Sequence, residues 1–98
     1  MQKISNLTEA IYIQAAESYC IMVLQNGKTN VKSRPMKHFE QYLVDFGWLR
    51  IHRSFIVNPT FVKQISQERD SIFLQNGTEL PIARRKRKSV LKWRNTSI

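Results

Sequence analysis

Two runs, Leu24-Gln25-Asn26-Gly27 and Leu74-Gln75-Asn76-Gly77, constrain the fold of this chain more than any other feature. An Asn-Gly pair between apolar segments is the strongest short-range hairpin signal, because both central positions accept positive φ. The first pair follows a continuous apolar run over 19–25, "YCIMVLQ", and precedes "KTNVKS" over 28–33. The second lies inside "SIFLQNGTELPIA", 71–83. Each reads as a strand, a tight turn and a returning strand. Both hairpins then run to an arginine, Arg34 or Arg84. That likeness is too short for a repeat, and shared hairpin chemistry accounts for it.

The remaining segments fill out a mostly-β chain. "AIYIQA", 10–15, alternates and places Ile11 and Ile13 on one side of a strand. "WLRIHRSFIVN", 48–58, returns to strand character, and Asn58-Pro59-Thr60 turns into a strand over 61–66. Between 34 and 46 the period changes: Met36, Phe39 and Leu43 fall at helical spacing, with Tyr42 beside them. Ser33 suits the cap, Pro35 the first turn and Gly47 the stop. A second helix is expected over 84–94, with Ala83, Val90, Leu91 and Trp93 on its apolar side. Arg85, Lys88 and Lys92 point the other way, Arg84 stands at their edge, and Lys86 and Arg87 fall beside the apolar arc.

Charge narrows the class of partner. The chain has 98 residues, and Lys plus Arg total 16 against 7 Asp plus Glu, a formal net charge of +9. That balance points to a polyanion. The excess is concentrated at the end: no acid follows Glu79, whereas Arg84, Arg85, Lys86, Arg87, Lys88, Lys92 and Arg94 all do. Catalytic chemistry has no constellation to rest on. His38 and His52 lack metal-binding spacing, and the glycines at 27, 47 and 77 look like turn and cap residues. Cys20, the single cysteine, sits in an apolar strand and reads as a small core residue. The expectation is no enzyme, no cofactor, no metal and no small-molecule substrate. The start lacks an apolar signal core, and no apolar run is long enough for a bilayer. The chain is therefore expected in the cytoplasm, off the membrane.

Two motifs carry a resemblance to a known family. Trp48, Arg50, His52, Arg53, Ser54, Phe55, Ile56, Val57 and Asn58 form one; Leu74, Gly77, Leu80, Pro81, Ile82 and Arg84 form the other. Both resemble the LytTR DNA-binding domain, found at the C-terminus of many bacterial response regulators. "AIYIQAAESY" is similar to a third family signature, with Gln14 in place of the usual acid. The resemblance spans about residues 3–93. Family members usually carry one more strand before this region; here Met1–Thr8 precede it, so that strand is expected short or missing. The whole of 1–98 is expected to be one such domain, without a receiver domain.

The resemblance implies an elongated arrangement of small antiparallel sheets whose loops enter DNA grooves. By position it implies three contact places: the turn with Ser18 and Tyr19, the segment with His52 and Arg53, and the segment beginning at Arg84. Arginine carries a rigid fork of donors suited to guanine, whereas lysine is a mobile point charge suited to phosphate. Arg84 is therefore expected at a base and Arg53 at a base edge or in the minor groove; Tyr19 is expected at a base by the position the resemblance gives it. Ser18, His52, Arg85, Lys86 and Lys88 are expected at phosphate or in support. Alternation along "LRIHRSF" points His52 away from Arg53 and puts Arg50 on the face of His52, as a supporting cation. Tyr19 has a plainer reading, as an aromatic packing at a strand start.

The function implied is sequence-specific binding of double-stranded DNA and transcription regulation as the output domain of a two-component response regulator. A second copy on a tandem or repeated site is a further expected partner. The alternative is a small basic RNA-binding protein, which charge and size suit equally. Exposed aromatics on a sheet would favour RNA, but Phe55, Phe61 and Phe73 lie among aliphatics and are expected in the core. A membrane-surface reading needs a wider apolar face than Val90, Leu91 and Trp93 provide.

Overall fold

The computed structural model describes residues 7–96. The first family strand, expected short or missing, falls largely before them. A 3-10 turn, Leu7–Glu9, leads into β1 (Ala10–Ala16), β2 (Tyr19–Leu24) and β3 (Thr29–Lys32). Helix α1 (Met36–Asp45) follows, then β4 (Leu49–His52) and β5 (Phe55–Val57). A second 3-10 turn, Pro59–Phe61, opens β6 (Val62–Ser66), β7 (Ser71–Leu74) and β8 (Glu79–Pro81). A third, Arg84–Lys86, runs into α2 (Arg87–Thr96). The strands form two antiparallel sheets, ordered β3-β2-β1-β5-β4 and β6-β7-β8. The mostly-β expectation with two short helices holds, although the second helix is split by its 3-10 start.

Two apolar clusters stack these layers. One face of the larger sheet (Ala10, Ile13, Cys20, Met22, Ile56) packs on Met36, Phe39 and Leu43 of α1, with Trp48. The opposite face (Ile11, Ile51, Val57) packs on Ile72, Leu74 and Leu80 of the smaller sheet, with Ile82 and Val90. Ile11 and Ile13 therefore face opposite ways, against the expectation from alternation. A bulge between Ala10 and Tyr12 shifts the register against β2. One extra residue reverses the side-chain phase.

The Asn-Gly hairpins form where expected, but not with both central residues at positive φ. In each, the glycine alone turns left-handed, with φ +87 at Gly27 and +92 at Gly77. Gly27 N–H donates to Leu24 O (3.0 Å) and Leu24 N–H to Lys28 O (2.9 Å); Gly77, Leu74 and Thr78 repeat both bonds at 2.9 and 2.8 Å. These are three-residue loops closed by a glycine bulge. The asparagine acts through its side chain, accepting from Lys28 N–H (2.9 Å) and Thr78 N–H (3.0 Å).

Helix α1 buries the three expected residues and ends at Gly47 (φ +94). Trp48 N–H donates to Leu43 O and Gly47 N–H to Val44 O, both at 2.9 Å. This is the paired-bond C-terminal cap that a left-handed glycine permits, with Leu43 and Trp48 in one apolar cluster. At the other end Ser33 does not cap. Pro35 occupies the cap position and gives no side-chain bond.

Candidate nucleic-acid interface

The motif segment 48–58 is not one strand. It folds back at Arg53-Ser54, so β4 and β5 form a hairpin whose tip carries the residues singled out. No Gly, Asn or Pro marks this turn, which is why the pattern conceals it. A second bulge, at Ile51, shifts the β4–β5 register between Arg50 and His52. Arg50 lies opposite Ile56 on the α1 side, while His52 lies opposite Phe55, whose ring it meets at 5.6 Å between centroids. Arg50 and His52 therefore do not share a face. The bulge puts them on opposite ones.

The tip's backbone is closely satisfied. Arg50 Nε donates to His52 O at 2.7 Å, and Arg50 Nη2 to Arg53 O at 2.8 Å. Arg50 Nη1 pairs with Glu40 of α1 at 2.5 Å. Ser54 N–H donates to His52 Nδ1 at 3.1 Å. In a neutral imidazole this puts the proton on Nε2, which becomes a donor. Ser54 O accepts from Ala15 N–H at 2.9 Å. That last bond ties the β4–β5 tip to the neighbouring β1–β2 tip, where Glu17 turns left-handed (φ 49) and Ser18 is exposed. Tyr19 follows and is 41% exposed. Core packing does not account for its ring.

The basic segment meets the same end of the sheet at its β4 edge. The carbonyl of the bulged Ile51 accepts from Ala83 N–H at 2.8 Å. Ile82 N–H donates to Asp70 O at 2.7 Å, so two consecutive amides anchor the chain just before Arg84. Arg84, Arg85 and Lys86 then form the 3-10 turn, and Lys86 N–H returns to Ala83 O at 2.8 Å. Arg50, His52, Arg53, Ala83, Arg85 and Lys86 line a groove of about 280 Å³. Arg84 is exposed and stands outside that lining, as does the exposed Lys88. Arg87 is turned aside by an ion pair with Asp70, and Val90 is buried.

The eight residues expected at the site thus lie on three chain segments, which the Ala15–Ser54 and Ala83–Ile51 hydrogen bonds join at one end of the larger sheet. Sequence reasoning missed the links between them: the Arg53-Ser54 turn, the Ile51 bulge and the contacts of Arg50. It also missed that β3 ends at this same end. Lys32 lies opposite Cys20, so Lys32 adds charge there. Burial raises the Cys20 thiol pKa, and Lys32 partly offsets the rise.

Apart from Tyr19 at the start of β2, the phenylalanines weighed as stacking platforms are covered. Phe61 is buried, Phe55 packs against the second apolar cluster, and Phe73 is half-buried beneath Arg69. Among the described residues no helix is long and apolar enough to cross a membrane.

Comparison with known proteins bears on the same elements. The family model described as the LytTr DNA-binding domain matches residues 2–95. The sensory transduction protein LytT of Bacillus subtilis (strain 168) is 27% identical over 86% of this chain. The match spans 39% of that relative's length. A solved LytTr DNA-binding domain of a methyl-accepting/DNA response regulator from Bacillus cereus superposes with a TM-score of 0.76 at 21% identity. That match covers 92% of this chain and 90% of the other.

Proposed function

This chain belongs to the LytTR family of DNA-binding domains, and on that premise we propose that residues 1–98 act as one unit that reads double-stranded DNA by sequence. The role proposed for that unit is the output domain of a bacterial two-component response regulator in the cytoplasm, controlling transcription. A second copy on a tandem or repeated site is part of the proposal. One observation carries the reading: hydrogen bonds join the two hairpin tips and the basic segment at one end of the sheet. Loops fixed in this way can enter a groove without losing much conformational freedom on binding.

Within that reading Arg53 and Arg84 meet base edges, where a guanidinium can bond guanine twice. Tyr19 sits beside them, its ring against a base or sugar. Ser18, Arg85, Lys86 and Lys88 bond phosphate and fix the register. His52 supports the tip through Nδ1 and offers Nε2–H to the backbone of DNA. The RNA alternative lacks support, because Phe55, Phe61 and Phe73 are covered and Tyr19, at the start of β2, is a lone exposed ring among the strands described.

Fluorescence anisotropy with duplex DNA and single-stranded RNA across a salt series tests this reading. The expected result is tighter binding to duplex, with a cognate site found by selection from a random pool. Equal or tighter binding to RNA would overturn it.

A further inference from the structure

We propose that Glu40 and Arg50 form a positioning pair that sets the pose of the β4–β5 tip and so the selectivity of DNA binding, although neither residue need touch a base. The inference rests on the DNA-binding reading above for its functional consequence, but its structural half stands alone.

Arg50 is surrounded by acceptors on three sides. Nε and Nη2 hold the carbonyls of His52 and Arg53, and Nη1 holds Glu40. The planar guanidinium cannot satisfy all three unless β4, the tip and α1 keep one mutual arrangement. Among the described residues Glu40 is the one partner outside the hairpin itself, and it is supplied by a helix whose Met36, Phe39 and Leu43 are buried in the core. The pair therefore refers the exposed tip to a rigid element. Without Glu40 the bonds from Nε and Nη2 remain, but both stay within the hairpin and neither refers it to α1, and the turn has no proline to stiffen it. A base-reading side chain displaced by about 1 Å loses much of its effect. Phosphate contacts from flexible cations tolerate the same displacement.

Charge and positioning predict opposite signs here. Replacing Glu40 by Gln removes a negative charge from a protein that already carries +9. Electrostatics alone would tighten binding to every DNA. Positioning predicts that Glu40→Gln weakens cognate binding about five- to tenfold, the lower part of the range for losing one base contact, while random DNA binds as tightly or slightly tighter. Asp45→Asn is the matched control. It makes the same charge change on α1, where Asp45 accepts from Gln41 of the same helix at 2.9 Å, and is expected to leave the cognate-to-random ratio unchanged.

The decisive experiment measures that ratio for wild type, Glu40→Gln and Asp45→Asn, with the thermal midpoint of each. Amide ¹⁵N relaxation of the free proteins is recorded alongside. Supporting results are a narrowed ratio only in Glu40→Gln, a midpoint near wild type, and increased motion at Arg53 and Ser54. Glu40→Gln behaving like Asp45→Asn, or an unchanged tip in relaxation, overturns the inference. A wild type without any cognate preference overturns the functional reading instead, and the relaxation data still decide whether Glu40 holds the tip.

Discussion

Asn58 belongs to the motif that marks the family, yet it sits at the end of β5 away from the tip, only 7% exposed. Its Nδ2 donates to Ala10 O at 2.9 Å, and its Oδ1 accepts from Thr60 N–H at 3.1 Å. It thus bonds the start of β1 and caps the 3-10 turn that opens β6. Asn58→Ala removes both bonds. Leaving the buried Ala10 carbonyl without this donor costs about 1–3 kcal/mol, and losing the cap about 0.5–2 kcal/mol. Since Thr60 is exposed and its N–H can be rehydrated, a total of about 2–4 kcal/mol is expected. For a domain of this size that lowers the thermal midpoint by roughly 10–30 °C. Urea unfolding should show the loss as a shifted midpoint with an unchanged slope. Asn58→Ser separates the two bonds, since it keeps a cap acceptor but is too short to reach Ala10, and it should fall between wild type and alanine. DNA affinity per folded molecule should not change. An Asn58→Ala variant within about 0.5 kcal/mol of wild type would refute this reasoning, given the usual size of surface effects.

The base and phosphate roles separate in two further variants. Arg84→Ala should cost about 1–3 kcal/mol on the cognate site and narrow its advantage over random DNA. Lys88→Ala should weaken all DNA alike and flatten the salt slope by about one unit; equal effects of both variants on both DNAs would show the roles to be misassigned. Cys20 gives a test of burial. Burial raises its folded pKa above the ordinary 9.0, so the folded chain holds a proton that the unfolded chain releases. Its stability contribution is intact below that value and lost as pH rises beyond it. Cys20→Ala should lessen the alkaline loss of stability, and alkylation of native Cys20 at pH 8 should be slow until urea unfolds the chain.

What was legible in the sequence followed regular periods and special backbone residues. Met36, Phe39 and Leu43 gave α1, Gly47 its stop, and the two Leu-Gln-Asn-Gly runs gave hairpins at the right places. What was hidden depends on single-residue insertions into a ladder. The bulges near Ile11 and at Ile51 add one residue each and leave no compositional trace, so alternation assigned the wrong face to Ile11 and the wrong companion to His52. The Arg53-Ser54 turn is held by Arg50, His52 and Ala15, not by a turn-forming residue. Its stabilising contacts come from elsewhere in the chain, and local pattern could not show them. Ser33 failed as a cap because Pro35, with its φ fixed at −66, took the boundary position two residues further along the chain. The site residues could be named from family motifs. Their convergence at one end of the sheet required the fold.

Three chain segments forming one DNA-reading end should show together in an NMR map of the bound surface. Amide and side-chain shifts of the ¹⁵N-labelled protein are followed as a selected duplex is added. The largest changes are expected at Ser18–Tyr19, His52–Ser54 and Arg84–Lys88, with little change over Tyr42–Phe46 at the end of α1. Shifts centred on that α1 face, or on the β6–β7 turn with the two hairpin tips silent, would contradict it.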